Sequence, residues 1–251
     1  MTTGRGPTQA DKQAIPSVWT RPRRQREHLT RERIVTEAVR LLDAEGIEAL
    51  SMRTLSNRLN AGATSLYRHV ANKDELIELV VDEVYGELHV PTAEHRSEWR
   101  SAAAAAANSL RAMALRHSWI ASVLGQVGLS HLGPNVMRMS DRMLAVFETA
   151  GFPSDETDRA VSTVVAYVIG VATSEAAYLS MISRSGSTEQ EWVEDLRPAL
   201  EEAARDHPRL IEGQVAQRGV DPGQVRDETF DYGLQCILDG LEARLAHHGS
   251  V

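Results

Sequence analysis

The sequence predicts an all-α protein, and three observations carry that expectation. Apolar residues recur at three- and four-residue spacing from Ile34 to Leu245, and nowhere do apolar and polar residues alternate with the period of a strand. Ser, Thr, Asp or Asn stands before most of these stretches and Gly or Pro closes them, as at helix starts and stops. With 251 residues, 42% of them hydrophobic, the chain can bury the core of one large domain or two smaller ones.

Residues 1–28 carry Gly4, Gly6, Pro7, Pro16 and Pro22 with little periodicity and are expected to be disordered in isolation. Thr30 then caps a helix from Arg31 to about Glu45 with the apolar stripe Ile34, Ala38, Leu41 and Leu42, and Gly46 ends it. Ser51 caps a second helix that stops near Asn60, with Leu55 and Leu59 four apart on one face. Asn60, Ala61 and Gly62 supply a tight turn, and a short helix from Ala63 to His69 follows. Asn72 with Glu75 reads as a capping box opening a fourth helix, Lys73 to about Leu88.

Helix, three-residue turn and helix make a helix-turn-helix. Leu66 faces inward, whereas Ser65, Arg68 and His69 share the outer side with Tyr67 beside them. Such a face fits the major groove of DNA, where guanidinium groups read guanine edges and hydroxyls or imidazoles reach phosphates. Arg68 is expected to read a base and Ser65 a base or nearby phosphate. Tyr67, His69 and Lys73 would contact phosphates, with Ser51 and Arg53 anchoring the backbone from the preceding helix. Ala63 could touch only a thymine methyl. Arg21, Arg23, Arg24 and Arg26, four arginines in six residues, suit a flanking minor groove or a solvated tail.

The run Arg33 to Arg53, R-I-V-T-E-A-V-R-L-L-D-A-E-G-I-E-A-L-S-M-R, precedes L-Y-x-H-V-x-N-K at Leu66 to Lys73. Together they resemble the DNA-binding domain of the tetracycline repressor (TetR) family, over about Leu29 to Leu88. With residues 1–28 as an Arg-containing arm, the resemblance implies a three-helix DNA-binding domain in 29–75 and a larger helical ligand-binding and dimerisation domain in 76–251. It further implies that the helix from Lys73 links the two domains, and it favours repression. A single helix-turn-helix contacts too few bases to select a genomic site, so a homodimer on a palindromic operator is expected.

Beyond Pro91 a helix runs from about Ser97 to Arg116 through six consecutive alanines, Ala102 to Ala107. Trp119, Ile120, Val123 and Leu124 suggest a short apolar helix before the Gly-rich stretch Gly125 to Pro134. Asn135 to Ala150 is the next helix, and Asp155 caps a long one to about Ser183 with Val161, Val164, Val165, Val168 and Ala172 at helical spacing. Ser187 with Gln190 starts an acidic helix, about Thr188 to Arg205, and Asp221 with Pro222 starts a last one, about Gln224 to His247. Its seam is Phe230, Leu234, Ile237, Leu238, Leu241 and Leu245. The two long C-terminal helices, paired across a two-fold axis, would make the four-helix bundle that the resemblance also implies.

Net charge is −8, yet residues 1–75 hold 13 Lys and Arg against 9 Asp and Glu, which leaves −12 for the remainder. A mildly basic head on an acidic body suits a protein whose head alone touches phosphate. The single Cys236 excludes an internal disulfide and reads as a small buried hydrophobe. No apolar run near bilayer length and no signal peptide are evident, so the expected location is the cytoplasm, without membrane contact.

Trp119, Met137, Met143, Phe147, Tyr167, Tyr178 and Met181 could line an adaptable apolar pocket for a small hydrophobic or antibiotic-like effector, or serve as plain core. Thr173 and Glu175, polar within an apolar run, are the candidate polar contacts. His117 and His131 lack metal-ligand spacing, so no metal and no cofactor are assigned. The phosphate-loop, zinc-protease and nucleophile-elbow motifs of enzymes are missing, which argues against catalysis. An alternative is a helix-turn-helix protein with no small-molecule effector, controlled by a protein partner at its acidic surface.

Overall fold

The computed structural model describes residues 28–120, 122–123, 133–216 and 218–248. Arg21, Arg23, Arg24 and Arg26, His131, Leu124 and most of the Gly-rich stretch lie outside them. Among the described residues all regular elements are helical. In chain order they are α1 (Arg31–Glu45), α2 (Met52–Arg58), α3 (Ala63–Leu66), α4 (Lys73–Tyr85), α5 (Trp99–Arg116), α6 (Pro134–Ala150), α7 (Ser154–Ser185), α8 (Glu189–Ala203), α9 (Pro208–Ala216) and α10 (Pro222–His248).

The expected starts of the head helices are met by real hydrogen bonds. Thr30 accepts from the Arg33 amide, Ser51 from Thr54 and Asn72 from Glu75, so each first turn keeps one amide satisfied. The box at α4 is displaced by one residue, because Glu75 Oε2 reaches back to the Ala71 amide at 2.6 Å. Of the turn residues, Asn60 alone takes the left-handed conformation, with φ 49°. Gly62 is extended at φ −72°.

Several expected boundaries move. The second helix of the helix-turn-helix, α3, closes at Leu66, and Tyr67, Arg68 and His69 form a turn instead of its second half. Val70 is fully buried and bonds back to the Leu66 carbonyl, so the chain must leave the helix axis to place it and open α4 three residues later. α4 stops at Tyr85, before Leu88. Asp155 lies in the first turn of α7, whose N-cap is Pro153. Thr188 with Glu191, rather than Ser187 with Gln190, forms the capping box of α8. The short α9 escaped the sequence reading, since its strongest start signal is Pro208 at the first turn.

The buried side chains form one connected cluster from Ile34 in α1 to Leu245 in α10, so head and body share a core. α4 supplies the bridge: Leu76, Val80, Val81 and Val84 are buried as it packs on both α1 and α6. α5 lies along α7, and Ala103 and Ala107, buried in its alanine run, let the two axes approach. Phe230, Leu234, Leu238, Leu241 and Leu245 bury the inner seam of α10 as expected. Gly233 is required there, because a Cβ would strike the Tyr167 ring that hydrogen-bonds to the Phe230 carbonyl at 2.8 Å.

Two expectations are corrected. Cys236 is exposed, since it falls on the outer side of α10, opposite the leucine seam. α7 is, by length and composition, apolar enough to cross a membrane, with a mean hydropathy of 1.5 over its most apolar window. That composition serves packing: Val164, Val168 and Ala172 bury one face in the body, and Glu175 within the helix is held by two arginines.

Candidate DNA-binding face and effector cavity

Among the described residues the head's cations fall into two groups, paired and unpaired. Arg58 is tied to Glu45 at 3.0 Å and Glu37 at 3.4 Å, Arg31 to Glu75 at 3.4 Å, and Arg40 to Glu37 at 3.6 Å. Arg53, Arg68 and Lys73, which the sequence assigned to DNA, are exposed and make no ion pair among the described residues. Ser65 and Ala63 are exposed on α3, and Tyr67 is 52% exposed at its end. Leu55 and Leu66 hold α2 and α3 together from behind. His69 is half-buried, and its carbonyl accepts from Arg31 Nε at 3.4 Å. Ser51 is exposed, with its hydroxyl engaged as the α2 cap. Open donors on a rigid support are what phosphate and base-edge recognition requires.

Two polar clamps fix α4 and α1 against the body. Asp82 of α4 caps the start of α6, its Oδ1 accepting from the Asn135 amide at 2.8 Å and the Val136 amide at 3.0 Å. Gly133 stands against that carboxylate, where a Cβ would collide with it. At the other clamp the buried His117 ring lies between Asp43 of α1, at 2.7 Å, and Glu87 after α4, at 3.2 Å. Trp119 Nε1 donates to the same Asp43 oxygen at 2.8 Å. Neither clamp was visible in sequence, because the partners are 30 to 76 residues apart.

The candidate effector residues scatter. Met143 lines a small apolar cavity with Leu88, Val90, Leu110, Met139 and Val164, about 10 Å³ in volume and so no larger than one water. Phe147 is instead packed among Trp99 and Phe152, with ring centroids 5.7 and 5.6 Å away. Tyr167 stacks on Phe230, Trp119 belongs to the Asp43 clamp, and Tyr178 is half-buried. Met137 and Met181 are exposed, and Thr173 is exposed with its hydroxyl bonded to the Ile169 carbonyl. Helical spacing does not separate these core and surface roles from a pocket.

Glu175 is buried, but other side chains already hold it. Arg111 binds it through two bonds, 2.8 and 2.7 Å, and Arg226 adds a third at 2.9 Å. Burial pushes its carboxyl up, but the bonds from Arg111 and Arg226 outweigh that and hold it below the ordinary range. Arg111 in turn pairs with Asp227 at 2.8 Å and lies over the Phe230 ring, 4.7 Å from its centroid. The sequence signal for this network was Glu175 itself, polar within an apolar run, whereas its partners Arg111 and Arg226 lie 64 and 51 residues away.

Residues 34–80 match the bacterial regulatory proteins, tetR family, and residues 90–245 match the tetracyclin repressor-like C-terminal domain. The chain belongs to the tetracycline repressor family. Among its TetR-family relatives is an HTH-type transcriptional regulator of Saccharopolyspora erythraea, 34% identical over 247 residues that cover 96% of this chain and 98% of the relative. It is 33% identical to the HTH-type transcriptional repressor DrrR1 of Streptomyces coeruleorubidus over 87% of this chain and 79% of that one. The crystal structure of ActR from Streptomyces coelicolor in complex with actinorhodin superposes with a TM-score of 0.70 and 32% identity, over 86% of this chain and 96% of ActR. Residues 34–80, from α1 into α4, therefore form the DNA-binding region of a TetR-family regulator, and the helices from α5 onward belong to its C-terminal domain.

Proposed function

We propose that the protein is a ligand-responsive transcriptional repressor in the cytoplasm, binding a palindromic operator as a homodimer and released by a small apolar or antibiotic-like effector. The observation that carries this reading is the head's division of labour: Arg53, Arg68 and Lys73 are exposed without an ion pair among the described residues, whereas Arg31, Arg40 and Arg58 are ion-paired. Arg68 reads a base, Ser65 a base or phosphate, and Tyr67, His69 and Lys73 the backbone. Residues 29–75 act as the reading head and 76–251 as the body.

Dimerisation is supported by the outward sides of α7 and α10. Thr163, Ala166, Gly170 and Ala177 on one, and Cys236, Gly240 and Ala243 on the other, are small and exposed in the single chain. Paired about a two-fold axis, such faces permit the close helix contacts of a four-helix bundle.

An effector acts by preferring a conformation in which the two recognition helices are wrongly spaced for successive major grooves. DrrR1 is named a repressor and ActR was crystallised with actinorhodin, which supports both halves of the reading for this relative of theirs. Footprinting of the purified protein on the DNA upstream of its own gene tests the first half. Thermal-shift screening against apolar metabolites and antibiotics, followed by operator-release assays with the hits, tests the second.

A further inference from the structure

Between the end of α4 and the first turns of α6 lies a cleft of about 160 Å³, lined by Tyr85, Gly86, Asn135, Arg138 and Arg142. Leu88, Val90 and Met139 form its inner wall and also line the apolar cavity described above, so the two spaces are neighbours across shared side chains. The outer wall is cationic: Arg138 and Arg142 are one helical turn apart and both are exposed. Arg138 bonds to the Asn135 side chain, and Arg142 has no hydrogen bond or ion pair among the described residues.

Tyr85 supplies an independent sign. The residue is 8% exposed, and its hydroxyl has no hydrogen-bond partner among the described residues. Burial pushes the phenol above its ordinary range, so it stays a neutral donor. A buried donor without a partner is costly and rare, and calls for a group to accept from it.

We propose that this cleft binds a small organic acid, its anionic oxygens held by Arg142 and Arg138, accepting from the Tyr85 hydroxyl, with its apolar body directed against Leu88, Val90 and Met139. The proposal rests on the ligand-responsive reading and names the chemistry of the effector. Because the cavity behind those side chains has room for only about one water, an apolar body must displace α6 relative to α4 to enter it. That displacement loads the bonds from Asp82 to Asn135 and Val136, which tie the connector helix to the body.

The test uses the full chain with 1-naphthoate and its neutral counterpart 1-naphthamide, compared by isothermal titration. Naphthoate is expected to bind about tenfold tighter. Arg142→Met should abolish that preference, Arg142→Lys should restore part of it, and Tyr85→Phe should weaken naphthoate several-fold, all with unchanged circular dichroism. Equal binding of the two probes, wild-type affinity of Arg142→Met for naphthoate, or binding of neither probe would overturn the proposal. A parallel operator-release screen with neutral apolar compounds keeps the parent reading separate. Release by those compounds without naphthoate preference removes the acid anchor and leaves ligand response standing, whereas no release by any compound counts against ligand response itself.

Discussion

His117 Nδ1 stands 2.7 Å from Asp43 Oδ1 and joins the end of α5 to the first helix of the head. Asp43 also accepts from Trp119, so one carboxylate oxygen gathers two donors from the body. His117→Ala should destabilise the protein by about 2 kcal/mol, because a buried partner is lost and Asp43 keeps only the indole. Urea unfolding of His117→Ala, Asp43→Asn and the double variant checks this. A coupling energy near zero would show that the pair does not act as a clamp.

Glu175 sets an acid limit on the body. Its carboxyl is held below the ordinary value of 4.5 by Arg111 and Arg226 despite burial. The stability it contributes is therefore complete above that value and disappears as pH falls through the lowered one. Glu175→Gln should cost about 3 kcal/mol at neutral pH and flatten the loss of stability below about pH 4.5. Unfolding free energies measured from pH 7 down to pH 3 provide the check.

Asn60 carries the backbone strain of the helix-turn-helix, with φ 49°. Asn60→Val should cost about 1–2 kcal/mol and Asn60→Gly should be close to neutral, since a β-branched side chain resists the left-handed region. Gly62 is extended with open space where a Cβ would sit, so Gly62→Ala should be tolerated. Melting temperatures of the three variants separate these roles.

The head was largely legible because its signals are local. Thr30, Ser51 and Asn72 each cap within three residues, and Leu55 and Leu66 bury as their spacing requires. Tertiary demands were not legible: the burial of Val70 shortens α3, and a free outer face leaves Cys236 exposed. The effector residues were the least readable, since Phe147 and Trp119 have the same spacing and chemistry in a core as in a pocket. Tyr85, Arg138 and Arg142 meet only because α4 docks on α6, more than 50 residues away in sequence.

Recognition should divide by residue. Arg68→Ala should weaken operator binding by about 1–3 kcal/mol and relax preference at one base pair, whereas Lys73→Ala should weaken all sequences alike and lower the salt slope by about 1. Removing residues 1–26 should flatten that slope further if the arm arginines meet phosphate. Affinities measured at several salt concentrations on operator and scrambled duplexes distinguish these effects.

The central claim, that the unpaired face of α2 to α4 reads DNA in two symmetric copies, is tested most directly by footprinting the purified protein upstream of its own gene. The account predicts two protected half-sites with centres about one helical turn or a whole multiple of it apart, lost in Arg68→Ala. Absence of protection even in dilute salt, or protection of a single unrepeated half-site by a monomer, would contradict it.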